Sequence, residues 1–235
     1  MPDQNTTSSM LDIAGPKCSI RTFEVRPKDA GTHPAVIVIQ EWWWLNAHIK
    51  DVATRFAREG YVAVAPDLYS RQGNKVTANP DEAGQLMMNL KKQDGIDDLL
   101  AVVAHLKTAP GVNGERIGVT GFCMGGSYAL LLPCHSTDIK AAVPFYGEIP
   151  SNDTLKKLSC PIRYFYGDED GWIQKSDVER LQNALRDLGK AGDVVVYKGL
   201  PHAFFNDTRK EVYHAEQAKD AWKRTLSLFA HELKR

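Results

Sequence analysis

The sequence predicts an α/β fold, with a mostly parallel central sheet and helices on both of its faces. Short apolar segments alternate with longer amphipathic segments along the chain, which is the pattern of repeated strand and helix units. Residues 35–40 (AVIVIQ) form a continuous apolar run, which is typical of a strand covered on both faces. No linker rich in proline, glycine or serine divides the 235 residues, so we expect a single domain over 1–235.

The first strands and the first helix are each predicted by a different sequence pattern. Residues 1–17 are expected to form a loosely ordered N-terminal segment, and the alternating residues 19–25 predict a strand at an edge of the sheet. After the strand at 35–40, Asn46 is a suitable N-cap for an amphipathic helix that Gly60 ends. We therefore expect the chain to enter the fold through a peripheral strand before it builds the centre of the sheet.

The later elements continue the alternation of strands and helices. Further strands are predicted at 61–65, 116–120, 141–146, 162–166 and 194–197. Helices are predicted between 80 and 107 with a break near 93–95, and over 127–133, 175–188 and 211–233. Ligands bind at the carboxyl ends of the strands in such sheets, so the residues that follow each strand are candidates for a functional site.

The composition and charge of the chain limit the kinds of molecule that it could bind. The chain has 29 basic and 29 acidic residues, and this zero net charge argues against a nucleic-acid-binding protein. Its apolar runs are far too short to span a bilayer, and residues 1–9 lack the apolar region of a signal peptide. We therefore expect a cytoplasmic protein, a monomer or weak homodimer, with no nucleic-acid or membrane partner.

The four cysteines are widely spaced and include no C-x-x-C pair; they are Cys18, Cys123, Cys134 and Cys160. This spacing argues against a zinc site, and a reducing compartment argues against disulfides. The sequence has no histidine-rich metal motif and no P-loop, so we expect neither a metal nor a cofactor. The question that remains is whether one of the free thiols carries out chemistry.

Residues 121–126 (GFCMGG) follow the predicted strand at 116–120 and precede a predicted helix. The pattern G-x-C-x-G is the cysteine form of a nucleophile elbow, a sharp turn from a strand into a helix. The glycines remove Cβ atoms that would collide in such a turn, and the N-terminus of the helix favours a thiolate. The pattern therefore predicts that Cys123 is a nucleophile, although a lone cysteine is more often a buried structural residue.

A nucleophile elbow is followed along the chain by an acid and then by a histidine. His202 follows the last predicted strand, whereas the other six histidines lie before the elbow, close to it, or within or beside the closing helix. The acid is expected in the turn after the strand at 162–166, which contains Asp168, Glu169 and Asp170. The register G-x-x-D-x-x-[VI] favours Asp170, and Asp168 is the alternative.

These features together resemble the dienelactone hydrolases (carboxymethylenebutenolidases), which are cysteine members of the α/β-hydrolase superfamily. The resemblance runs from about residue 19 to the last helix and implies the α/β-hydrolase fold. The motifs that carry it are Gln40-Glu41, Asn46, Pro66-Asp67-Leu68-Tyr69, Arg71-Gln72, Gly121-Phe122-Cys123-Met124-Gly125-Gly126, Phe145-Tyr146-Gly147, residues 167–170 and His202-Ala203-Phe204.

The resemblance implies a hydrolase of carboxylic esters or lactones that works through an acyl-enzyme. Cys123 would attack the carbonyl carbon, while His202 transfers protons and Asp170 orients the imidazole. The oxyanion hole would consist of two backbone amides, those of Trp42 and Met124.

Glu41 has a role that only the resemblance implies. In this family the glutamate at its position contacts the resting thiol and helps to deprotonate the cysteine once substrate binds. In the sequence, Glu41 follows a strand and precedes three tryptophans at 42–44, whose apolar surface predicts a raised carboxyl pKa through desolvation.

The chain departs from the family where dienelactone-specific members bind the substrate carboxylate with two arginines. One of the two positions is Asn206 here, and no arginine lies between Gln72 and Lys107 to match the other. Arg71 and Arg209 are the nearby arginines, but neither matches the family's positions. We therefore expect a substrate that is less anionic or bulkier than a dienelactone.

Three residues are the candidates for substrate contact: Arg71, Tyr146 and Trp172. The two aromatic residues lie at predicted strand ends, where packing in the core is an equally good interpretation.

Three other functions remain open at this point. A broad carboxylesterase or thioesterase would keep the mechanism and change the substrate. A redox-active thiol protein would need a resolving cysteine, but Cys134 lies about three helical turns from Cys123. A non-catalytic ligand-binding member of the superfamily is disfavoured by the complete set of nucleophile, acid and base.

Overall fold

Eight strands form one sheet in the part of the chain that the computed structural model describes, residues 5–234. The strands are β1 (Thr6–Ala14), β2 (Ser19–Pro27), β3 (His33–Ile39), β4 (Val62–Pro66), β5 (Val112–Phe122), β6 (Ile139–Phe145), β7 (Ile162–Gly167) and β8 (Gly192–Tyr197). Their order across the sheet is β1-β2-β4-β3-β5-β6-β7-β8. The pairs β1/β2 and β2/β4 are antiparallel and all the others are parallel.

Helices cover both faces of this sheet. They are α1 (Ala47–Arg58), α2 (Pro80–Asn89), α3 (Lys92–Thr108), α4 (Met124–Leu131), α5 (Asn152–Leu155), α6 (Lys175–Asp187) and α7 (Ala215–Leu233). Side chains of β3 alternate between the two faces, so Val36 and Val38 pack with α1 and α7 while Ile37 and Ile39 pack with the other helices. The predicted mostly parallel sheet with helices on both faces is therefore confirmed.

The prediction for the N-terminal segment is wrong over residues 6–14. These residues form β1, which pairs with β2 along its whole length, from Thr6 opposite Pro27 to Ala14 opposite Ser19. The strand is mostly polar because it lies at the edge of the sheet, where six of its nine side chains are exposed. β2 is consequently an inner strand instead of the predicted edge, and residues 1–4 of the segment lie outside the described residues.

The predicted helix break near 93–95 lies instead at Leu90 and Lys91, whose extended backbones separate α2 from α3. Gly95 is inside α3. A Cβ at this position would lie 2.7 Å from the Tyr128 ring, so the glycine permits close packing of α3 on α4 and does not end a helix. The last helix also begins four residues later than predicted, at Ala215.

The parallel strands bring their carboxyl ends to one edge of the sheet. The residues that follow β3, β5, β6, β7 and β8 are therefore neighbours in space. All of the predicted catalytic residues lie in these connections. No helix within residues 5–234 is both long enough and apolar enough to cross a membrane.

Candidate active site

Cys123 lies at the turn between β5 and α4 and has an unusual backbone conformation, with φ of 56° and ψ of −120°. Non-glycine residues rarely adopt a positive φ, because the Cβ then crowds the backbone. Two close approaches hold the turn. A Cβ on Gly121 would lie 2.1 Å from the Gly125 oxygen, and one on Gly126 would lie 2.2 Å from the Phe145 oxygen. The sharp turn predicted from the glycine spacing is thus present, and it places the thiol at the N-terminus of α4.

The Cys123 thiol is surrounded by groups with opposing effects on its ionisation. Burial and the nearby Glu41 carboxylate raise its pKa, whereas hydrogen bonds from the backbone amides of Met124 and Trp42 lower it. The net result is a raised pKa, so the thiol is protonated at neutral pH. Both amides therefore lie close to the Cys123 sulfur.

His202 and Asp170 form a hydrogen-bonded pair. Nδ1 of His202 lies 2.7 Å from Oδ2 of Asp170, whose side chain is completely buried. The other carboxylate oxygen, Oδ1, accepts hydrogen bonds from the backbone amides of Trp172 at 2.8 Å and Ile173 at 2.9 Å. Both carboxylate oxygens of Asp170 are thus fixed. When Nδ1 of His202 donates its proton to this hydrogen bond, Nε2 has a free lone pair and can act as a base. Asp168, the alternative acid, instead accepts a hydrogen bond from the Gly199 amide.

Nε2 of His202 is buried and has no hydrogen-bond partner among the described residues. The resting thiol therefore does not donate to this nitrogen. A direct transfer of a proton from the Cys123 sulfur to Nε2 of His202 therefore requires the side chain of Cys123 to rotate first.

Glu41 follows β3 and is 2% exposed. Burial raises its pKa to about 7, against the opposing effects of the His202 and Arg209 charges and of a hydrogen bond from Asn206. That bond joins Nδ2 of Asn206 to Oε2 of Glu41 at 2.8 Å. With a pKa of about 7, the carboxyl group exchanges its proton readily near neutral pH, which suits a group that accepts a proton from a thiol.

The predicted substrate-contact residues occupy three different environments. Arg71 is not part of the cluster, because its guanidinium makes two hydrogen bonds of 2.7 Å to Asp98 and pairs with Asp94 as well. Tyr146 is fully buried, with its ring centroid 4.8 Å from that of His202. Trp172 is partly exposed and packs edge-on against His202, at 5.4 Å between centroids.

Two adjoining cavities of about 170 and 260 Å³ lie beside Trp172 and share five lining residues: Lys92, Ser127, Leu131, Glu148 and Trp172. We call these cavities together the Trp172 groove. The smaller one also contacts Met124, next to Cys123, and is otherwise lined by Met87, Leu90 and Tyr128. A separate cavity of about 260 Å³ has Trp43, Trp44, Asn206 and Arg209 in its wall.

Two residues of the site have roles that sequence reasoning missed. In the sequence, Asn206 stands out only because it occupies a position where dienelactone-specific members have an arginine. In the structure its side chain is hydrogen-bonded to Glu41. Tyr69 donates a hydrogen bond from its hydroxyl to the Trp42 carbonyl at 2.7 Å and contacts the Met124 sulfur at 3.5 Å, so it braces both residues of the amide pair. The order of residues along the chain gives no sign of either contact, because each joins residues far apart in sequence.

The profile of the Dienelactone hydrolase family matches residues 20–233, which is nearly the whole chain. The chain belongs to the dienelactone hydrolase family. Its fold is accordingly the α/β-hydrolase fold, and the prediction of a hydrolase of this family is confirmed. All four cysteines are free, and no group of three or more histidine, cysteine or acidic residues within residues 5–234 is arranged to bind a metal.

Curated relatives in the dienelactone hydrolase family match most of the chain. The protein usf of Aquifex pyrophilus is 36% identical over 233 residues, which cover 95% of this chain and 98% of that protein. An Escherichia coli K12 protein, provisionally named carboxymethylenebutenolidase, is 33% identical over 97% of this chain and 88% of its own length. A crystal structure from Klebsiella pneumoniae, provisionally named a dienelactone hydrolase, has a TM-score of 0.89 and 34% identity, and covers 96% of this chain and 98% of that one.

Proposed function

We propose that this protein hydrolyses carboxylic esters or lactones through an acyl-enzyme on Cys123. The observation that carries the proposal is the His202–Asp170 hydrogen bond of 2.7 Å. It lies at the same sheet edge as Cys123, whose sulfur accepts hydrogen bonds from two backbone amides. A nucleophile, an oriented base and a pair of oxyanion donors are together sufficient for acyl transfer.

The first half-reaction begins when substrate enters and the Cys123 proton passes to Nε2 of His202, either directly after the Cys123 side chain rotates or by way of the Glu41 carboxylate. The thiolate attacks the carbonyl carbon, and the amides of Met124 and Trp42 hold the oxyanion of the tetrahedral intermediate. When this intermediate collapses, the bond to the alcohol oxygen breaks and that oxygen takes a proton from His202. The product is an alcohol and a thioester on Cys123.

In the second half-reaction, His202 removes a proton from water, which attacks the thioester carbonyl. Collapse of the second intermediate releases the carboxylic acid, and the departing Cys123 sulfur takes back the proton from His202. Asp170 stays ionised throughout and stabilises the imidazolium that forms in each half-reaction.

A broad carboxylesterase or thioesterase that accepts bulky neutral esters is the second candidate, and the Trp172 groove favours it. Leucine, methionine and tryptophan side chains line the part of the groove near Met124. The charged groups farther along are paired with one another, Lys92 with Glu148 and Asp177 with Arg180. Since Arg71 is committed to Asp98, these observations support a neutral substrate over a dicarboxylate or dienelactone anion.

Hydrolysis of a panel of aryl esters, lactones and thioesters by the wild type and by Cys123→Ala and His202→Ala tests the proposal. Each variant is expected to lose at least about a thousandfold in kcat/KM while unfolding at the wild-type temperature. Cys18→Ala is the matched control, because Cys18 is also partly exposed but lies outside the site. Full activity in Cys123→Ala would refute the assignment of the nucleophile.

Comparison of a dienelactone with its neutral methyl ester separates the two substrate classes. Comparable turnover of the acid and the ester is expected for a site without a free arginine pair. Strong selectivity for the free acid would contradict the proposed preference for neutral esters.

A further inference from the structure

The hydroxyl group of Tyr146, directly after β6, is a buried polar group that the mechanism above does not use. The side chain has no exposed surface, and Oη has no hydrogen-bond partner among the described residues. Buried hydroxyl groups in proteins are nearly always paired, so an unpaired one calls for a functional explanation. Two buried tyrosines of β7 follow the rule, since the hydroxyl of Tyr164 donates to the Gly147 carbonyl and that of Tyr166 donates to the Ile173 carbonyl.

The backbone holds Tyr146 in a conformation that a bulky residue seldom adopts, with φ of 39°. Its amide donates to the Phe165 carbonyl at 2.8 Å, which fixes the residue to the end of β7. The conformation places the ring 4.8 Å from the His202 ring, in an edge-on arrangement. Strain at a residue in contact with the proposed base is a recurring feature of functional sites.

The hydroxyl lies in an anionic environment. Burial raises its pKa well above the ordinary value, the Glu41 and Asp170 carboxylates and an ionised Cys123 sulfur raise it further, and the Arg209 charge opposes them. Tyr146 is therefore protonated at every pH at which the enzyme would work, and it can act only as a donor towards these anions.

Two unpaired polar atoms thus lie on adjacent rings beside the nucleophile, Oη of Tyr146 and Nε2 of His202. Glu41 is held by Asn206, whereas the Cys123 side chain can rotate about a single bond. Rotation of an ionised sulfur towards His202 would supply an acceptor for the Tyr146 hydroxyl, and also for Nε2 when the proton has passed to His202. We propose that the Tyr146 hydroxyl donates a hydrogen bond to the Cys123 sulfur once the thiol has lost its proton.

In this step the proton moves from the sulfur to the Glu41 carboxylate or to His202, the negative charge moves to the sulfur, and Tyr146 keeps its own proton. The inference rests on the proposed function, because it gives Tyr146 a part in activating the same nucleophile. It makes Tyr146 a residue that stabilises the thiolate and does not line the substrate pocket.

Several ionisable groups influence the titration of the thiol. Glu41 and Asp170 raise the pKa of the Cys123 thiol, and Tyr69 and Tyr146 interact with the charge of its sulfur. His202 and Arg209 act on the Glu41 carboxyl group and reach the thiol only through it. Only Tyr146 loses its hydroxyl in the variant below, so the remaining groups are constant in the comparison.

The test is the rate at which iodoacetamide alkylates Cys123 in the full-length wild type and in Tyr146→Phe, followed by mass spectrometry between pH 5 and 10. No substrate is present, so contacts of Tyr146 with substrate cannot contribute. Cys18 is alkylated in the same sample and serves as an internal reference. Tyr197→Phe is the matched control, because its hydroxyl is paired with Asp220 of α7.

We expect the Cys123 profile of Tyr146→Phe to move upward by about one pH unit, which is about a tenfold slower alkylation on the rising limb. The Cys18 profile and the Tyr197→Phe profile are expected to stay in place. The melting temperature of Tyr146→Phe should equal or exceed that of the wild type, because the variant removes an unpaired buried group.

Coincident Cys123 profiles in wild type and Tyr146→Phe would overturn the inference. A shift of the Cys123 profile to lower pH in Tyr146→Phe would also overturn the inference, since the hydroxyl would then donate its hydrogen bond to the Glu41 carboxylate instead of the sulfur. A marked fall in melting temperature would show that the hydroxyl is paired in the resting protein. The proposed function fails separately, if wild-type protein fully alkylated at Cys123 still hydrolyses esters.

Discussion

The side-chain amide nitrogen of Asn206 lies 2.8 Å from Oε2 of Glu41 and so joins the connection after β8 to the end of β3. The same Asn206 side chain accepts hydrogen bonds from the amide and the hydroxyl of Thr208 through its oxygen, which fixes its orientation. Glu41 is thereby held as a hydrogen-bonded carboxyl group in a buried site, with its pKa at about 7.

Replacement of Asn206 by Ala is expected to shift the pH dependence of hydrolysis. The Asn206 hydrogen bond favours the charged form of Glu41, so its loss raises the pKa of Glu41 above about 7. The acidic limb of kcat/KM should then move to higher pH by about half a unit to one unit. Thr208→Val, which keeps the backbone amide, is the control. An unmoved limb in Asn206→Ala would show that Glu41 does not control the titration.

Replacement of Glu41 by Gln is expected to stabilise the protein above neutral pH. The folded pKa of about 7 exceeds the ordinary value of 4.5, so the folded state binds the proton more tightly and stability falls as pH rises through this window. Gln cannot ionise, and the variant should therefore gain about 3 kcal/mol in free energy of unfolding at pH 8 and almost nothing near pH 4.5. Urea unfolding at the two pH values measures the difference, and a pH-independent difference would contradict the account.

The two candidate acids are expected to differ strongly when each is replaced by Asn. Asp170 contacts His202 at 2.7 Å, whereas Asp168 accepts the Gly199 amide within the turn. Asp170→Asn should lose about a thousand- to ten-thousandfold in kcat, because the amide favours the wrong imidazole tautomer. Asp168→Asn should lose less than about tenfold. Steady-state kinetics on one aryl ester decides between them, and the reverse order would move the acid to Asp168.

The elbow and the His202–Asp170 pair were accessible from the sequence because each depends on local spacing. The glycines around Cys123 are required by backbone contacts at about 2 Å, and Asp170 occupies a fixed register in its turn. The contacts of Asn206 with Glu41 and of Tyr69 with Trp42 were not accessible, because they depend on how distant connections meet at the end of the sheet.

The errors in the fold prediction have equally physical causes. β1 was missed because an exposed edge strand carries polar side chains and has little apolar periodicity. Arg71 was a candidate for substrate contact because it is one of the two arginines near the family's anion-binding positions, but its guanidinium is hydrogen-bonded to the buried Asp98 of α3. A sequence does not show which of several nearby partners a charged side chain selects.

Replacement of Tyr69 by Phe is expected to weaken the pair of oxyanion amides. The Tyr69 hydroxyl is bonded to the Trp42 carbonyl at 2.7 Å, and its loss frees this segment to move relative to Met124. We expect kcat to fall about tenfold with KM nearly unchanged, because the affected hydrogen bonds strengthen in the transition state. Tyr197→Phe, remote from the amides, should retain kcat. A change confined to KM would place Tyr69 in substrate binding instead.

Adjacent methionines on α2 allow a test of the Trp172 groove. Met87 is partly buried and lines the cavity of about 170 Å³ next to Met124, whereas Met88 is 79% exposed. Met87→Trp should fill part of this cavity and lower kcat/KM for bulky or long-chain esters by about tenfold or more, while an acetyl ester is nearly unaffected. Met88→Trp adds the same volume in solvent and should behave as wild type. A uniform effect of Met87→Trp on short and long esters would show that substrate does not occupy the groove, because only the extended part of a substrate could meet the new side chain.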